Sequence, residues 1–348
     1  MRLGGPAKFV IDIENESEIS DAFNFAKEKN LPVFILGSGA NTIGHDEGFP
    51  GIIIRSALKG ISAESVFLRT LRGTPSLPSE PHNDGRERGG SQKDTSALIT
   101  SYSGELWDDL VAFACERNLH GIEGLSKIPG LVGAAPVQNI GAYGQDIANV
   151  FISAKVYDIK KNRIITLNKN DMHFSYRHSI LNTTQTGRYF VISITLELGQ
   201  GKMPRPFYTS IEKYIAETGA SDFSPKGIRE IVSTIRANKL PDPKVEASAG
   251  SFFKNIYLTE KEALAAEAKG YQVYHGRDGY KINSGWLIEE AGLKGKLLHG
   301  FRVNEKAALV LINESAKSYS DLAAARAEIV ATVKNQFGYT LEQEPVEI

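Results

Sequence analysis

Apolar and polar positions in the first part of the chain alternate between two periods. Residues 8–13 (KFVIDI) form a short apolar run of strand length, and Ile19, Ala22, Phe23 and Ala26 then recur at the three- and four-residue spacing of one helical face. Asn15 and Glu18 have the spacing of a capping box at the start of that helix. A second apolar run, 33–36, predicts a buried strand that leads directly into Gly37-Ser38-Gly39, and 51–54 (GIII) predicts a third strand. Together these make a small βαββ-type unit. The pattern stops over 72–96, where Pro, Gly, Ser and charges of both signs leave too little apolar surface to offset the entropy of ordering. A mobile inserted loop is expected there, with a regulated or partner-binding arm as the alternative.

Periodicity resumes with a helix predicted over 105–118, whose buried face is Trp107, Leu110, Val111 and Ala114. A stretch of small residues, 128–144, follows, and then strand-like runs at 150–158, 163–167 and 189–198. Beyond Pro204 the spacing is helical again. Ser224-Pro225 opens a helix with Ile228, Ile231, Val232 and Ile235 on one face. Thr259 and Glu262 form a capping box for a helix stopped by Gly270, and Leu322, Ile329, Val330, Val333 and Phe337 stripe a last helix ended by Gly338. The alternation of strands and helices predicts an α+β architecture with a break near residue 200 and no internal repeat.

Composition narrows the chemistry. The 348 residues are enough for two or three domains, and 40 Lys plus Arg against 41 Asp plus Glu leave a formal net charge of −1. No global field favours nucleic acid or an anionic membrane, so an anionic ligand has to be held locally. Cys115 is the one cysteine, which excludes an intrachain disulfide and a two-thiol redox couple. The seven His lack H-x-x-x-H spacing, so no metal site is expected, and any redox chemistry falls to a bound organic cofactor. No apolar run approaches the roughly 18 residues of a membrane span. The opening Met1-Arg2-Leu3-Gly4-Gly5 carries no signal-peptide core, and the expected compartment is the cytoplasm.

Two glycine-rich segments are candidates for ligand contact. Gly37-Ser38-Gly39-Ala40-Asn41 follows a strand, and glycines there let successive backbone N–H groups close around phosphate oxygens. A tight strand turn accounts for it equally well, and the loop-like sequence after it fails the dinucleotide fingerprint of a Rossmann domain. In 128–144 (IPGLVGAAPVQNIGAYG), small residues let backbone lie flat against a planar ligand while Gln138 and Asn139 supply amides. Close loop packing explains the glycines but not the amides together with Tyr143.

Here the chain resembles a known family. The 128–144 block, with LGSGANTI upstream, GIEGLSKIPG leading in, and FSYRHSIL, KLPDP, AGSFFKN, INSGWLIEEAGLKG and LVLIN downstream, is similar to the UDP-N-acetylenolpyruvoylglucosamine reductases, flavoenzymes of peptidoglycan precursor synthesis. The blocks span nearly the whole chain in the family's order. The resemblance implies an α+β fold, with a two-part FAD-binding half of vanillyl-alcohol-oxidase (PCMH) type followed by an α+β substrate-binding domain. The implied boundaries are 1–68 and 99–202 for the two FAD-binding subdomains, 69–98 for a flexible insertion, 203–320 for the substrate domain, and 321–348 for a C-terminal helix and tail.

It also implies non-covalent FAD, NADPH as reductant, and a UDP-linked enolpyruvyl sugar as substrate of a cytoplasmic monomer without nucleic-acid or membrane partners. Implied FAD contacts are Gly37, Ser38, Gly39, Ala40, Asn41, Pro129, Gly130, Gly133, Ala134, Gln138, Asn139, Gly141, Ala142, Tyr143 and Gly144. Ser251 matches the family's proton donor; taken alone, a Ser after Gly reads as a turn or cap residue. Arg177 matches the arginine facing the developing carboxylate charge, with a surface ion pair as the plainer reading. Glu344 falls where the family has its C-terminal catalytic glutamate; Gln343 replaces the usual proline before it, so Glu342 competes. Arg236, Lys239 and Asn255 match substrate-binding positions, the first two spaced to face one diphosphate. Tyr208 matches a mobile tyrosine loop that closes over substrate, and a core tyrosine is the alternative. The chain opens without the Asn-Thr pair usual in relatives, so some FAD contacts are expected to be made differently. Two rivals remain: a flavin oxidase of the same fold, opposed by the absence of a His or Cys in the glycine-rich stretch, and a non-catalytic flavin- or nucleotide-sugar-binding relative.

Overall fold

The structure, a computed structural model, describes residues 1–66, 96–243, 245–276 and 279–348. Its contacts divide the chain into two compact units. A middle unit comprises Leu58–Val232, and a terminal unit joins Met1–Ala57 to Ser233–Ile348. The division by contacts therefore groups the first 57 residues with the C-terminal part of the chain. Most of the expected insertion, 69–98, lies outside the described residues, but positions 96–98 are the start of a strand, Ser96–Tyr102.

The middle unit is built on an antiparallel sheet in the order Arg163–Asn168, Phe151–Asp158, Tyr189–Gln200, Ser96–Tyr102, Ile61–Val66, with Leu119–His120 pairing the far end of Tyr189–Gln200. Strict alternation along Ser96–Tyr102 buries Ala97, Ile99 and Ser101, as a strand with one face on a core requires. The helix Trp107–Glu116 buries Trp107, Leu110, Val111 and Ala114, the face expected from sequence. These side chains pack in one core with Ala154, Val156, Ile194, Leu196 and Leu198 from the sheet. The Trp107 indole, 1% exposed, donates its Nε1–H to the Leu125 carbonyl at 3.1 Å, which anchors the turn leading into the small-residue stretch.

In the terminal unit a parallel three-stranded sheet runs Ala7–Ile13, Phe49–Ser56, Val33–Leu36, with the helix Glu18–Glu28 in the crossover between the first and third of these. The expectation of a buried strand at 33–36 is corrected: it is an edge strand, half-buried at every position, and the buried strand is the central Phe49–Ser56, where Ile52 and Ile54 are fully enclosed. The expected Asn15–Glu18 capping box is also one-sided. Glu18 Oε2 accepts from the Asn15 amide at 3.1 Å, but the Glu18 amide donates to the Asn15 carbonyl instead of its side chain, and Ser17 is the N-cap.

The rest of this unit surrounds Phe252, Phe253, Leu287, Ile288, Phe301, Val303 and Leu311. Two small antiparallel sheets contribute: Ile256–Leu258, Gly279–Ile282 and Val273–Gly276; then Leu297–Leu298, Phe301–Val303 and Leu311–Asn313. The Thr259–Glu262 capping box forms as expected at the helix Glu260–Glu267. The last helix, Tyr319–Phe337, buries Leu322, Ala325, Ile329 and Val333; the Ser318–Asp321 capping box starts it, and Gly338, in the left-handed region at φ 82°, ends it. Beyond it the chain returns to the start of the sequence, and Val346–Glu347 pairs in parallel with Thr42–Ile43. Among the described residues no helix is long and apolar enough to cross a membrane.

Candidate active site

In the middle unit the stretch 128–144 folds as tight turns, a short 3-10 helix Val132–Ala134, and a hairpin of Gly141–Ala142 with Gln145–Asp146. Tyr143 at φ 50° and Gly144 at φ 79° occupy the hairpin turn, the two positive angles that a tight two-residue connection demands. The glycines divide by role. A Cβ at Gly133 would lie 2.5 Å from the Ser103 Cβ, so this glycine serves protein packing: its amide bonds the Ser103 carbonyl at 2.9 Å. At Gly130, φ 133°, an added Cβ would meet nothing within 4 Å, so that part of the backbone borders open space.

The expectation for Asn139 changes. Its amide, 7% exposed, is spent within the protein: Nδ2 donates to the Ser175 carbonyl at 3.1 Å and Oδ1 accepts from the Ala148 amide at 3.1 Å. With it, Ser179 Oγ donates to the Val137 carbonyl at 2.8 Å and Arg177 Nη2 to the Gly141 carbonyl at 3.3 Å. Three bonds thus bring the segment carrying Arg177 onto the glycine-rich stretch. Arg177 itself is in the left-handed region at φ 58°, in a turn closed by mutual backbone bonds of Ser175 and His178. Tyr208 meets the same hairpin, its ring edge-on to Tyr143 with centroids 5.9 Å apart, and its Cδ2 faces Gly144. Being 45% exposed, it is not the core tyrosine of the alternative reading.

Behind the stretch, Asp108 receives Arg229 Nη1 at 2.6 Å and Lys127 Nζ at 2.8 Å. Burial alone would raise its carboxyl, but these bonds hold it well below the usual carboxylate range. Cys115, buried in the helix Trp107–Glu116, has its thiol pushed up to about 12 by desolvation and then by the nearby Glu123 carboxylate.

In the terminal unit, Ser251 follows Gly250, φ 72°, and bridges to Val310. The next residues pair with the tail: Lys254 N donates to the Glu342 carbonyl at 2.8 Å and Glu344 N to the Phe252 carbonyl at 2.9 Å. The segments bearing Ser251 and Glu344 therefore share one ladder. Its two acidic residues differ sharply. The Glu342 side chain is 72% exposed and held by Lys254 Nζ at 2.5 Å, whereas Glu344 is half-buried. Asn41 Nδ2 reaches the Glu344 carbonyl at 3.5 Å, and the Val346 amide bonds the Asn41 carbonyl at 3.0 Å, so the Gly37–Asn41 loop joins the same group.

That loop can take an anion. Gly39 has φ 74° with open space where a Cβ would stand, and no hydrogen bond among the described residues engages the amides of Ser38, Gly39 and Ala40. The Asn255 side-chain oxygen is occupied by the Ser284 amide at 3.2 Å. Arg236, half-buried, and Lys239, exposed, lie in the last turn of the helix Pro225–Lys239. No three His, Cys, Asp or Glu side chains among the described residues converge as a metal site.

A family model described as UDP-N-acetylenolpyruvoylglucosamine reductase, C-terminal domain, matches residues 242–348. The UDP-N-acetylenolpyruvoylglucosamine reductase of Alcanivorax borkumensis is 34% identical over 317 residues, covering 90% of this chain and 84% of its own length. The chain belongs to this reductase family. A second reductase, from Ralstonia nicotianae, is 32% identical across 100% of the chain and 95% of its own. The solved reductase (MurB) of Thermus caldophilus superposes over 99% of the chain and 93% of its own with a TM-score of 0.60 at 22% identity. A VAO-type flavoprotein of Myceliophthora thermophila does so over 97% and 72% with a TM-score of 0.51 at 10% identity. At those identities the superpositions speak to the fold alone, and they bear out the α+β architecture expected from sequence. The chain is an oxidoreductase of the reductase family. Sequence reading missed Ser179, which holds the glycine-rich stretch in the middle unit, and Arg326 and Glu347, which hold the tail in the terminal unit; Ser179 sits inside the FSYRHSIL block, whereas Arg326 and Glu347 carry no local signal.

Proposed function

We propose that the protein is the FAD- and NADPH-dependent reductase that converts UDP-N-acetylenolpyruvoylglucosamine to UDP-N-acetylmuramate, acting as a cytoplasmic monomer. FAD, when bound, supplies the chemistry of taking hydride from NADPH and delivering it to C3 of the enol ether. The remaining steps fall to the chain. Unengaged amides at Ser38, Gly39 and Ala40 suit phosphate oxygens, and the open backbone at Gly130 suits a flat ring. Asn139 and Gly133 act here as braces for that backbone, leaving contact to Pro129, Ala134, Gln138, Ala142 and Tyr143 around them.

Hydride arrival at C3 leaves charge at C2, delocalised into the adjacent carboxylate. The planar fork of Arg177 pairs with that charge, and Ser251 Oγ–H gives the proton to C2. Glu344 completes the acid–base set in preference to Glu342, whose carboxylate is solvent-exposed and committed to Lys254. Arg236 and Lys239 provide local positive charge for the diphosphate, Asn255 orients the sugar, and Tyr208 closes over it from its exposed position.

The observation that carries this reading is the ladder joining the Ser251 and Glu344 segments, with Asn41 bonded to the Glu344 carbonyl. Purified protein should show a flavin spectrum that NADPH bleaches and the enolpyruvyl sugar restores, with oxygen restoring it only slowly. Failure to take up flavin, or bleached protein that the sugar leaves bleached, would sink the proposal. Ser251→Ala should slow reoxidation by the sugar by about 1,000-fold or more with reduction by NADPH nearly intact. An equal fall in both half-reactions would remove Ser251 from its role.

A further inference from the structure

The residues on either side of Glu344 are held by a single side chain. Arg326, on the capped helix Tyr319–Phe337, donates through Nη1 to Gln343 Oε1 at 2.6 Å and to Glu347 Oε1. Gln343 precedes Glu344 directly, and its own Nε2 donates to the Pro345 carbonyl at 2.8 Å and to Glu347 Oε1 at 3.1 Å. Glu347 Oε2 in turn accepts from the Tyr319 hydroxyl at 2.7 Å and from His45 Nε2 at 3.2 Å, while His45 stacks on Tyr319 with centroids 3.7 Å apart. The helix that supplies Arg326 is fixed at its start, where the Tyr319 amide donates to the Asp46 carboxylate at 2.8 Å. A planar fork on a rigid element thus spans the short segment from Gln343 to Glu347, with Glu344 inside it.

Backbone bonds fix the path of that segment: the Glu344 amide is held on Phe252, the Val346 amide on Asn41, and Gln343 bridges Phe253 between the ladder bonds of Lys254 and Glu344. What those bonds leave to side chains is the direction of the carboxylate, and there the bonds of Gln343 and Glu347 to Arg326 add a second hold. We propose that Arg326 is a positioning residue for Glu344, setting the direction of its carboxylate through Gln343 and Glu347. This rests on the reading of Glu344 as an acid–base group of the reductase. Glu347 is suited to such a hold: burial works to raise its carboxyl, but the bonds from Tyr319, Gln343, Arg326 and His45 keep it down at about 2, so it stays charged at neutral pH.

The test uses the full flavin-bearing chain. Arg326→Gln should slow reoxidation by the enolpyruvyl sugar about 100-fold, the scale of a small misplacement of a reacting group, with KM and reduction by NADPH unchanged. In flavin-free protein the same variant should speed amide exchange at Glu344 and Val346. Adding Gln343→Pro should restore most of the rate, because proline fixes φ next to Glu344 and the Gln343 amide lies outside the ladder bonds. A variant that melts earlier but reoxidises at the parent rate makes Arg326 merely structural and overturns the proposal, as does a slowed variant that the proline leaves slow. Glu344→Gln separates the two readings. If it slows reoxidation while Arg326→Gln does not, positioning alone falls; if it reoxidises at the parent rate, the assignment of Glu344 falls and takes positioning with it.

Discussion

The stretch 128–144 and the tail 341–348 both carry proposed site residues, yet they are held by opposite means. The stretch is fixed mostly by neutral groups in a buried setting, Gly133 against Ser103, Asn139 bridging Ser175 and Ala148, and Ser179 on Val137, with the ion pairs of Asp108 behind it. Charge fixes the tail, through the Arg326–Glu347 pair and the Lys254–Glu342 pair at its entry. Neutral buried bonds are insensitive to pH and salt but intolerant of added volume. Ionic holds are the reverse, tolerant of shape and vulnerable to titration and screening.

Breaking the stretch should give the largest effect. Asn139→Leu leaves the Ala148 amide and the Ser175 carbonyl unpaired and forces leucine into φ 42°, so a loss of about 3 kcal/mol is expected in a denaturant titration, together with a lower flavin content. A parent-like midpoint would show that the amide is not a brace. Gly133→Ala should follow at about 1–3 kcal/mol, because backbone must yield for a Cβ 2.5 Å from Ser103. Acid should act on the tail through Glu347 and, in the middle unit, through Asp108 behind the stretch, but not through the neutral bonds of the stretch itself. Held at about 2 against an ordinary 4.5, the Glu347 carboxylate contributes fully above about pH 4.5 and loses that contribution as pH falls towards 2. Discounted for partial exposure this is about 1 kcal/mol, seen as lost exchange protection at Val346 and Ile348 while Gly133 stays protected. Simultaneous loss at both places would erase the contrast. Least of all should change at Cys115: with a thiol at about 12 in a closed core, iodoacetamide at pH 8 should leave the folded protein unlabelled.

Sequence revealed the elements whose signal is local. The helical faces of Trp107–Glu116 and Tyr319–Phe337, the Thr259 cap and the long strands all follow from period and capping. Burial of 33–36 did not, because an apolar run looks alike in a central and an edge strand, and the order of strands is set by pairing partners far along the chain. For the candidate site, motif resemblance singled out Arg177, Ser251 and Glu344, and the choice between Glu344 and Glu342 needed exposure and the Lys254 pair. The amide of Asn139 looked like a ligand contact because its partners, Ser175 and Ala148, are invisible to local pattern. Arg326 was silent for the same reason.

The pairing of Val346–Glu347 with Thr42–Ile43 has a bearing on biogenesis. As the chain leaves the ribosome, residues 58–232 hold everything their own sheet and core require and can complete them early. Residues 1–57 emerge first and can pair their own three strands at once, but Thr42–Ile43 has its partner strand among the last residues synthesised, so that pairing waits for translation to finish.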